Sequence, residues 1–438
     1  MTLDTAALER WLEARHADAV GFLAELVKVP SDTPPGDNAP AAKRAAELLG
    51  ALGFEVERHE VPAAKVAEAG LRSVTNLVVR HRFGPPGSGT RGGPPGSGTR
   101  GGPPGSGTPG GPGPTIALNA HGDVVAPGSG WTRDPYGAEI HDGRMYGRGV
   151  AVSKSDFATY AFALAALKDL APRDGPLKGC VELHFTYDEE VGGEVGPAWL
   201  LASGITKPDF AICAGFSYGI VISHNGCLQL EAVVQGRSAH AAIPQSGVDA
   251  LHAAVAMLSE LYARREALKG IRSRVPGIDH PTLNVGRIEG GVNTNVVPDR
   301  VVLRMDRRIV PEEDPSRVEA ELRAGLEASA ARHAGIRLEI RRLLLADALR
   351  PIAGHERLVE ALQRHGARVF GETIPASGVP LYTDARHYAA AGVPVVLYGA
   401  GPRTIEASNA KRADENLLLE DLRKATRVVA CAVADLLS

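Results

Sequence analysis

The sequence predicts an α/β fold in which a larger domain with a mostly parallel sheet is interrupted by a smaller α+β domain. Two β-rich runs, PTIALNA (114–120) and CVELHFTY (180–187), flank the helical pattern SDFATYAFALAALKDL (155–170). This β-α-β order favours a parallel sheet with helices on both faces. From about Cys227 the order becomes β-α-β-β-α-β, which is a compact unit of its own. We therefore predict one domain over 1–225 and 345–438, and an inserted domain over 226–344.

The individual elements follow from periodicity, propensity and stop signals. Residues 4–29 are predicted as an opening helix, and 41–52 as a second helix that ends at Gly53. The strand NLVVRHRF comes next, at 76–83. In the inserted domain the expected strands are 228–236, 282–291, 295–309 and 336–344, and the expected helices are 248–268 and 316–335.

One segment has a different composition from the rest of the chain. Residues 84–113 consist of a nine-residue repeat, GPPGSGTRG, written twice and then as GPPGSGTPG, followed by GPGP. The repeat has no apolar side chain to bury, so it cannot offset the entropy cost of ordering. We expect a flexible loop between two strands of one sheet, and expect it to be dispensable for folding.

Composition excludes several classes of function. The chain has 438 residues and a net charge of −3, without a basic stripe, so nucleic acid is not an expected partner. No apolar run reaches the roughly 18 residues of a membrane span, and the N-terminal stretch lacks the pattern of a signal peptide. The four cysteines form no CxxC pair. We expect a cytoplasmic protein that acts on a small molecule.

Polar residues suited to catalysis follow two of the predicted strands. His121, Gly122 and Asp123 come directly after PTIALNA, and Asp188, Glu189 and Glu190 come directly after CVELHFTY. Ligands bind beyond the C-terminal ends of the strands in parallel sheets. A histidine there can bind a metal while an aspartate orients its ring, and one of two adjacent carboxylates can bind metal while the other acts as general base.

These motifs, with others further along, resemble one enzyme family over nearly the whole length. The matching segments are NAHGDVV, DPYGAEIHDGRMYGRG, TYDEEVGGE, GRSAHAAIPQSGVDAL, GGVNTNVVPDR with MDRR, and YTDARHYAAAGVPVVLYGAGP. They are similar to the zinc metallopeptidases and deacylases that include aminoacylase, acetylornithine deacetylase, succinyl-diaminopimelate desuccinylase and glutamate carboxypeptidase. The resemblance implies a catalytic domain with an inserted lid and dimerisation domain, and a metal-dependent amidohydrolase.

The resemblance also implies roles for residues of the catalytic domain. Two zinc ions would share a water molecule and polarise the scissile amide. Glu189 matches the general base that activates the water. His121 and Glu190 match metal ligands, and Asp123 matches the residue that orients His121.

Three further residues of the inserted domain match family positions. His240 matches a histidine that reaches the active site of the partner subunit and steadies the oxyanion. Asn295 and Arg308 match residues that hold a substrate carboxylate and the transition state. The resemblance therefore implies a homodimer.

The chain departs from this pattern at three positions that should bind metal. Val152 occupies the position of the bridging Asp, and Gly215, followed by Phe216, occupies that of a Glu-Pro or Asp-Pro pair. Lys411 occupies the position of the last ligand, a His. Catalytic zinc ordinarily has three protein ligands, and each family site keeps only one here. We therefore expect zinc or another divalent metal at one equivalent per chain or fewer.

Three interpretations remain open from the sequence. The first is a divergent hydrolase with one metal, rebuilt with Asp156, His224 or His387. The second is a metal-free protein, a binding module or an inactive partner, in which Lys411 or Lys154 pairs with Glu190. The third is an enzyme that cleaves a non-peptide C–N bond with Glu189 as base. Retention of the two motifs after the strands favours hydrolysis of a C–N bond, an amide, in a small carboxylate-bearing substrate.

Overall fold

The structure is a computed structural model that describes residues 4–84, 113–172 and 175–438. Most of the repeat predicted to be a flexible loop, 84–113, lies outside the described residues. The chain divides into two compact units. The first unit comprises Met1–Ile222, Pro351–Ala376 and His387–Ser438, and the second comprises Ser223–Arg350 and Ser377–Arg386. The domain limits predicted from the sequence stay a prediction, which limited proteolysis would test.

The helices and strands of the described ranges are numbered along the chain. The helices are α1 (Thr5–Ala14), α2 (His16–Val27), α3 (Ala39–Ala51), α4 (Ala63–Glu68), α5 (Lys154–Leu170), α6 (Pro197–Ala202), α7 (Ala250–Leu268), α8 (Pro315–Ala331), α9 (His355–Phe370), α10 (Ala385–Ala390), α11 (Ile405–Ser408) and α12 (Leu419–Leu436). The strands are β1 (Val56–Glu60), β2 (Thr75–Phe83), β3 (Thr115–His121), β4 (Glu139–His141), β5 (Arg144–Tyr146), β6 (Gly179–Thr186), β7 (Phe210–Cys213), β8 (Ile220–His224), β9 (Gly226–Gln235), β10 (Thr282–Gly290), β11 (Arg300–Ile309), β12 (Arg337–Ala346), β13 (Ala376–Val379), β14 (Val395–Leu397) and β15 (Asn416–Leu418).

The first unit is built on a twisted sheet whose centre is parallel. Its strands follow the order β1-β2-β6-β3-β7-β14-β8. Strand β3 pairs in parallel with both β6 and β7, and β14 pairs in parallel with β7. The register places His121 opposite Thr186, so the C-terminal ends of β3 and β6 lie side by side. The predicted α/β class with a largely parallel central sheet is confirmed.

Helix α5 is the central helix of the first unit. Its residues from Lys154 to Leu167 are all buried, because it packs against both α12 and α2 as well as the sheet. Small alanines along α5 allow this close approach, and each large apolar side chain such as Phe162 contributes about 1.5–3 kcal/mol through burial. The buried helix begins where the loop containing Val152 ends, so packing fixes that loop against the core.

The second unit has the predicted β-α-β-β-α-β order. Its strands form an antiparallel sheet, β10-β11-β9-β12. Leu228 and Leu230, alternate residues of β9, belong to one core cluster with Met257 of α7 and Leu322 of α8. A separate antiparallel sheet covered by two helices agrees with an inserted α+β domain.

Two predicted elements differ from the structure in their limits. The opening helix is two helices, because the chain turns at Arg15 so that Leu8 and Phe22 are both buried in the core. Strand β11 begins at Arg300 rather than 295, after Pro298, which has no N–H to donate to a ladder. None of the described helices combines the length and apolar character needed to cross a lipid bilayer.

Candidate active site

The two motifs predicted to carry chemistry lie together in the first unit. His121 is the last residue of β3, and Glu189 and Glu190 begin a 3₁₀ turn shortly after β6. The parallel pairing of β3 and β6 brings both strand ends to the same edge of the sheet. Nε2 of His121 lies 3.8 Å from Oε2 of Glu189, and both side chains are almost completely buried.

Asp123 connects the histidine to the acidic turn. Its Oδ1 accepts a hydrogen bond from the Glu189 amide at 3.3 Å, and its Oδ2 accepts one from the Glu190 amide at 3.0 Å. Nδ1 of His121 lies 3.3 Å from Asp123 Oδ1 and donates to the Asp123 carbonyl oxygen at 3.0 Å. The fully buried Asp123 carboxylate therefore orients both the imidazole ring and the turn that carries the two glutamates. The sequence predicted that Asp123 orients His121, but it did not predict the hydrogen bonds of Asp123 with the turn.

Burial and mutual charge shift the protonation of this cluster. Burial alone would lower the pKa of His121, but the carboxylates of Glu189 and Asp123 outweigh burial and raise it to about 10. Burial raises the pKa of Glu189 above its usual range, against the opposing effect of His121. A carboxylate whose pKa is raised is a better proton acceptor when it ionises, which suits a general base.

Lys411 pairs with the second glutamate of the turn. Its Nζ donates to Glu190 Oε2 at 2.6 Å, and the Glu190 side chain is 5% exposed whereas that of Lys411 is half exposed. Burial would lower the pKa of Lys411, but Glu190 and Glu189 hold it above its ordinary value. The ammonium is therefore charged, and it neutralises a carboxylate at a position where the family has a metal ligand.

The other two replaced positions have no room or chemistry for a ligand. Val152 is partly buried and packs against the core of the first unit. A Cβ built on Gly215 would lie 2.7 Å from the backbone nitrogen of Tyr398 and 2.8 Å from the carbonyl carbon of Leu397. The residues of this chain therefore do not fit the family's two-metal centre. Across the described ranges, no group of three or more His, Cys, Asp or Glu side chains is arranged to hold a metal ion.

The residues considered as replacement ligands have other partners. Asp156 accepts hydrogen bonds from the amides of Ala400 at 2.6 Å and Gly215 at 3.2 Å, and burial raises its pKa to about 7. Nε2 of His387 donates to the Gly192 carbonyl oxygen at 2.9 Å, which holds the end of the acidic turn.

Lys154, considered as a cation for Glu190, and His224, considered as a metal ligand, are both buried. Lys154 donates to the carbonyl oxygens of Leu26 and Val29 at 3.1 and 3.0 Å, not to Glu190. Burial lowers its pKa to about 8. His224 belongs to the second unit, where burial lowers its pKa to about 4.

The three predicted residues of the inserted domain are in the second unit. Arg308 is ion-paired with Asp306 at 2.8 Å and stacks its guanidinium over the ring of Tyr382. His240 and Asn295 are exposed neighbours, since the residue after His240 donates its amide hydrogen to the Asn295 carbonyl oxygen at 3.0 Å.

The sequence did not predict a buried polar network around His184 of β6. Nε2 of His184 lies 3.0 Å from Glu182 Oε2, and its Nδ1 lies 2.7 Å from the hydroxyl of Tyr388, the neighbour of His387. Arg80 contacts the other oxygen of Glu182 at 2.8 Å. The signal available in the sequence was the pair of ionisable residues at alternate positions inside the apolar run CVELHFTY.

Comparison with known proteins identifies the family. The model of peptidase family M20/M25/M40 matches residues 117–435. The chain therefore belongs to this family, and the resemblance stated from the motifs is confirmed.

Similar proteins agree with this assignment. A succinyl-diaminopimelate desuccinylase of Gluconobacter oxydans is 32% identical over 232 residues, which are 50% of this chain and 57% of the relative. An acetylornithine deacetylase of Erwinia tasmaniensis is 33% identical over 245 residues, covering 55% of this chain and 61% of the relative. Both alignments thus span less than two thirds of the relative. Human carnosine dipeptidase 1 shares the fold, with a TM-score of 0.74 at 17% identity over 99% of this chain and 98% of the other.

Proposed function

We propose that this protein hydrolyses a C–N bond, an amide, in a small carboxylate-bearing substrate. The observation that carries this proposal is the retained cluster at the ends of β3 and β6, in which Asp123 orients both His121 and the turn with Glu189. Membership of a peptidase family supports it. So do the names of two relatives, a succinyl-diaminopimelate desuccinylase and an acetylornithine deacetylase.

The chemistry assigns Glu189 the role of general base. Its carboxylate takes a proton from water while the water oxygen attacks the carbonyl carbon of the amide. The C–N bond then breaks, and the proton passes from Glu189 to the leaving nitrogen. The His121 ring, whose Nε2 lies 3.8 Å from Oε2 of Glu189, places a positive charge beside the carboxylate. Water exclusion by the buried walls strengthens these electrostatic effects.

The proposed metal content is one equivalent of zinc or another divalent ion per chain, or fewer. Support comes from Val152, Gly215 and Lys411, whose side chains and surroundings do not fit a two-metal centre. The proton transfers assigned to Glu189 do not depend on a metal ion.

Substrate binding and assembly are proposed from the second unit. Arg308 and Asn295 are proposed to bind the substrate carboxylate, and His240 to act in the active site of the partner subunit of a homodimer. An exposed apolar stripe on α7 supports the homodimer, because Leu251, Val255 and Tyr262 are each more than 40% exposed. Light scattering at micromolar concentration should give twice the mass of the chain. The cytoplasmic location stays a prediction that cell fractionation would test.

The experiment for the activity is a substrate panel. Purified protein is incubated with N-acetyl and N-succinyl amino acids, dipeptides, and ureido or amidino acids, and release of the free amine is followed by mass spectrometry. Release from at least one amide substrate supports the proposal. Release only from ureido or amidino substrates would show that the enzyme cleaves a non-peptide C–N bond.

A second candidate function is a metal-free binding protein, and the Lys411–Glu190 ion pair favours it. A binding protein of this kind would bind N-acyl amino acids without releasing the amine. Isothermal titration with the same panel separates the two functions, because binding without any turnover would contradict the hydrolase.

A further inference from the structure

Glu190 is a nearly buried carboxylate whose cation is supplied by the chain itself. Its side chain is 5% exposed, and the Lys411 ammonium contacts it at 2.6 Å. Removing the cation that contacts such a group leaves its charge without a direct partner, which is unfavourable. Among the described residues, Glu190 is the one hydrogen-bond acceptor that Lys411 contacts.

The turn that carries Lys411 is anchored at both ends. Asn409 ends α11 in the left-handed conformation and its carbonyl oxygen accepts the Arg412 amide at 2.8 Å. On the other side, Asp414 accepts hydrogen bonds from the amide and the hydroxyl of Thr132 at 3.0 and 2.9 Å. Lys411 itself has a φ of +61°, a conformation that costs energy in a residue with a Cβ. The fold therefore constrains the backbone that presents this lysine to Glu190.

The three departures from the family pattern all shift the local charge in the same direction. Val152 and Gly215 each remove a negative charge, and Lys411 adds a positive one. Together they add about three positive charges, which compensates most of the four that two divalent cations would have supplied. A site that had simply lost its metals would keep the excess of carboxylates, whereas this site has lost the carboxylates that needed metal.

We propose that Lys411 is a built-in cation that replaces a metal ion as the partner of Glu190, so that the protein binds no divalent metal beside this residue. This proposal rests on the proposed function, because that function places the active site at Glu189 and Glu190. Its test contains no substrate, so its failure and failure of the hydrolase are distinguishable.

Thermal unfolding with added metal tests this proposal. Wild type, Lys411→Met and Lys411→His are each melted after removal of metal with a chelator, with and without ZnCl₂ or MgCl₂. We expect the metal-dependent change in the Tm of the wild type to be the same in Glu190→Gln, and an additional rise of at least about 3 °C for Lys411→His, in which a neutral imidazole and Glu190 can share a cation. Lys411→Met should show a smaller rise, because only Glu190 is freed. Lys43→Met, at an exposed lysine of α3, is the matched control and should behave as wild type.

Two results would overturn the proposal. One is a rise in the wild-type Tm that Glu190→Gln abolishes, because Glu190 would then bind metal with Lys411 present. The other is the absence of a rise in both lysine variants, because Glu190 would then not be a cation site. If Lys411→Met does not fold, Lys411→His and the wild-type measurement still decide the question.

Discussion

The two halves of the candidate site differ in what holds their side chains in place. In the half that follows β3 and β6, Asp123, His121 and the acidic turn hydrogen-bond to one another through buried atoms. In the other half, Val152 packs on the core and Gly215 leaves no space for a side chain. The retained half supports itself without a metal, whereas the family ligands of the other half would have depended on one.

This difference suggests why some family residues survive and others do not. A carboxylate such as Asp123 satisfies two backbone amides, so its loss would damage the turn whether or not a metal binds. A carboxylate at position 152, where the side chain packs partly buried against the core, would without a cation be a partly desolvated unpaired charge. The half that is self-supporting should therefore be the half on which activity depends.

The largest expected effect is the loss of activity in Glu189→Gln. The amide cannot accept the water proton, so turnover of any substrate found in the panel should fall roughly 10²- to 10⁴-fold. Because burial already disfavours the charged carboxylate, the folded protein should remain stable. Steady-state kinetics with Glu68→Gln, an exposed glutamate of α4, as control measures the difference. An unchanged kcat in Glu189→Gln would show that the retained half of the site takes no part in catalysis.

The next largest effect is expected for Asp123→Asn. The new amide nitrogen cannot accept from the Glu189 or Glu190 amide, so at least one charge-assisted hydrogen bond becomes a donor–donor contact. We expect the free energy of unfolding to fall by about 3–5 kcal/mol, measured by urea denaturation. Asp142→Asn replaces an exposed aspartate at a turn with a φ of +48°, which asparagine tolerates. The control should change stability by no more than about 0.5 kcal/mol.

Val152→Asp restores the family residue in the other half of the site. Without a cation to pair with, the carboxylate would replace an apolar side chain packed on the core, and we expect a loss of about 2–4 kcal/mol. Val152→Ala, which only removes methyl groups, should cost about 1 kcal/mol. If Val152→Asp is as stable as wild type in metal-free buffer, the two halves do not differ as described.

The smallest effect is the coupling between Lys411 and Glu190. A double-mutant cycle with Lys411→Met and Glu190→Gln should give a coupling free energy of about 1–2 kcal/mol, since one partner is half exposed and solvent screens the pair. The double variant should recover most of the stability lost in Lys411→Met. A coupling near zero would mean that the ion pair does not stabilise the protein.

The sequence predicted the part of the site that depends on strand ends. HGD and DEE follow strands that are neighbours in a parallel sheet, so their proximity follows from topology. The hydrogen bonds of Asp156 with Gly215 and Ala400 were not predictable, because they require two loops from distant parts of the chain to meet over one carboxylate. Pairing of Lys411 with Glu190 was one of two alternatives, and only the structure shows that Lys154 donates to backbone carbonyls instead.

The fold was predictable for a similar reason. Periodicity located the helices and strands of both units, and the β-α-β-β-α-β order identified the inserted sheet. The break in the opening helix at Arg15 was not predictable from the sequence. No local stop signal marks it, and it depends on the tertiary packing of Leu8 and Phe22 in the core.

Elemental analysis of the protein as purified, without added metal or chelator, tests the difference between the two halves. We predict one zinc or fewer per chain, with no metal bound beside Glu190, because Val152, Gly215 and Lys411 do not provide a second set of ligands. The same content should be found in Glu190→Gln. Two equivalents of zinc per chain, reduced by Glu190→Gln, would contradict this conclusion and show that both halves of the site still bind metal.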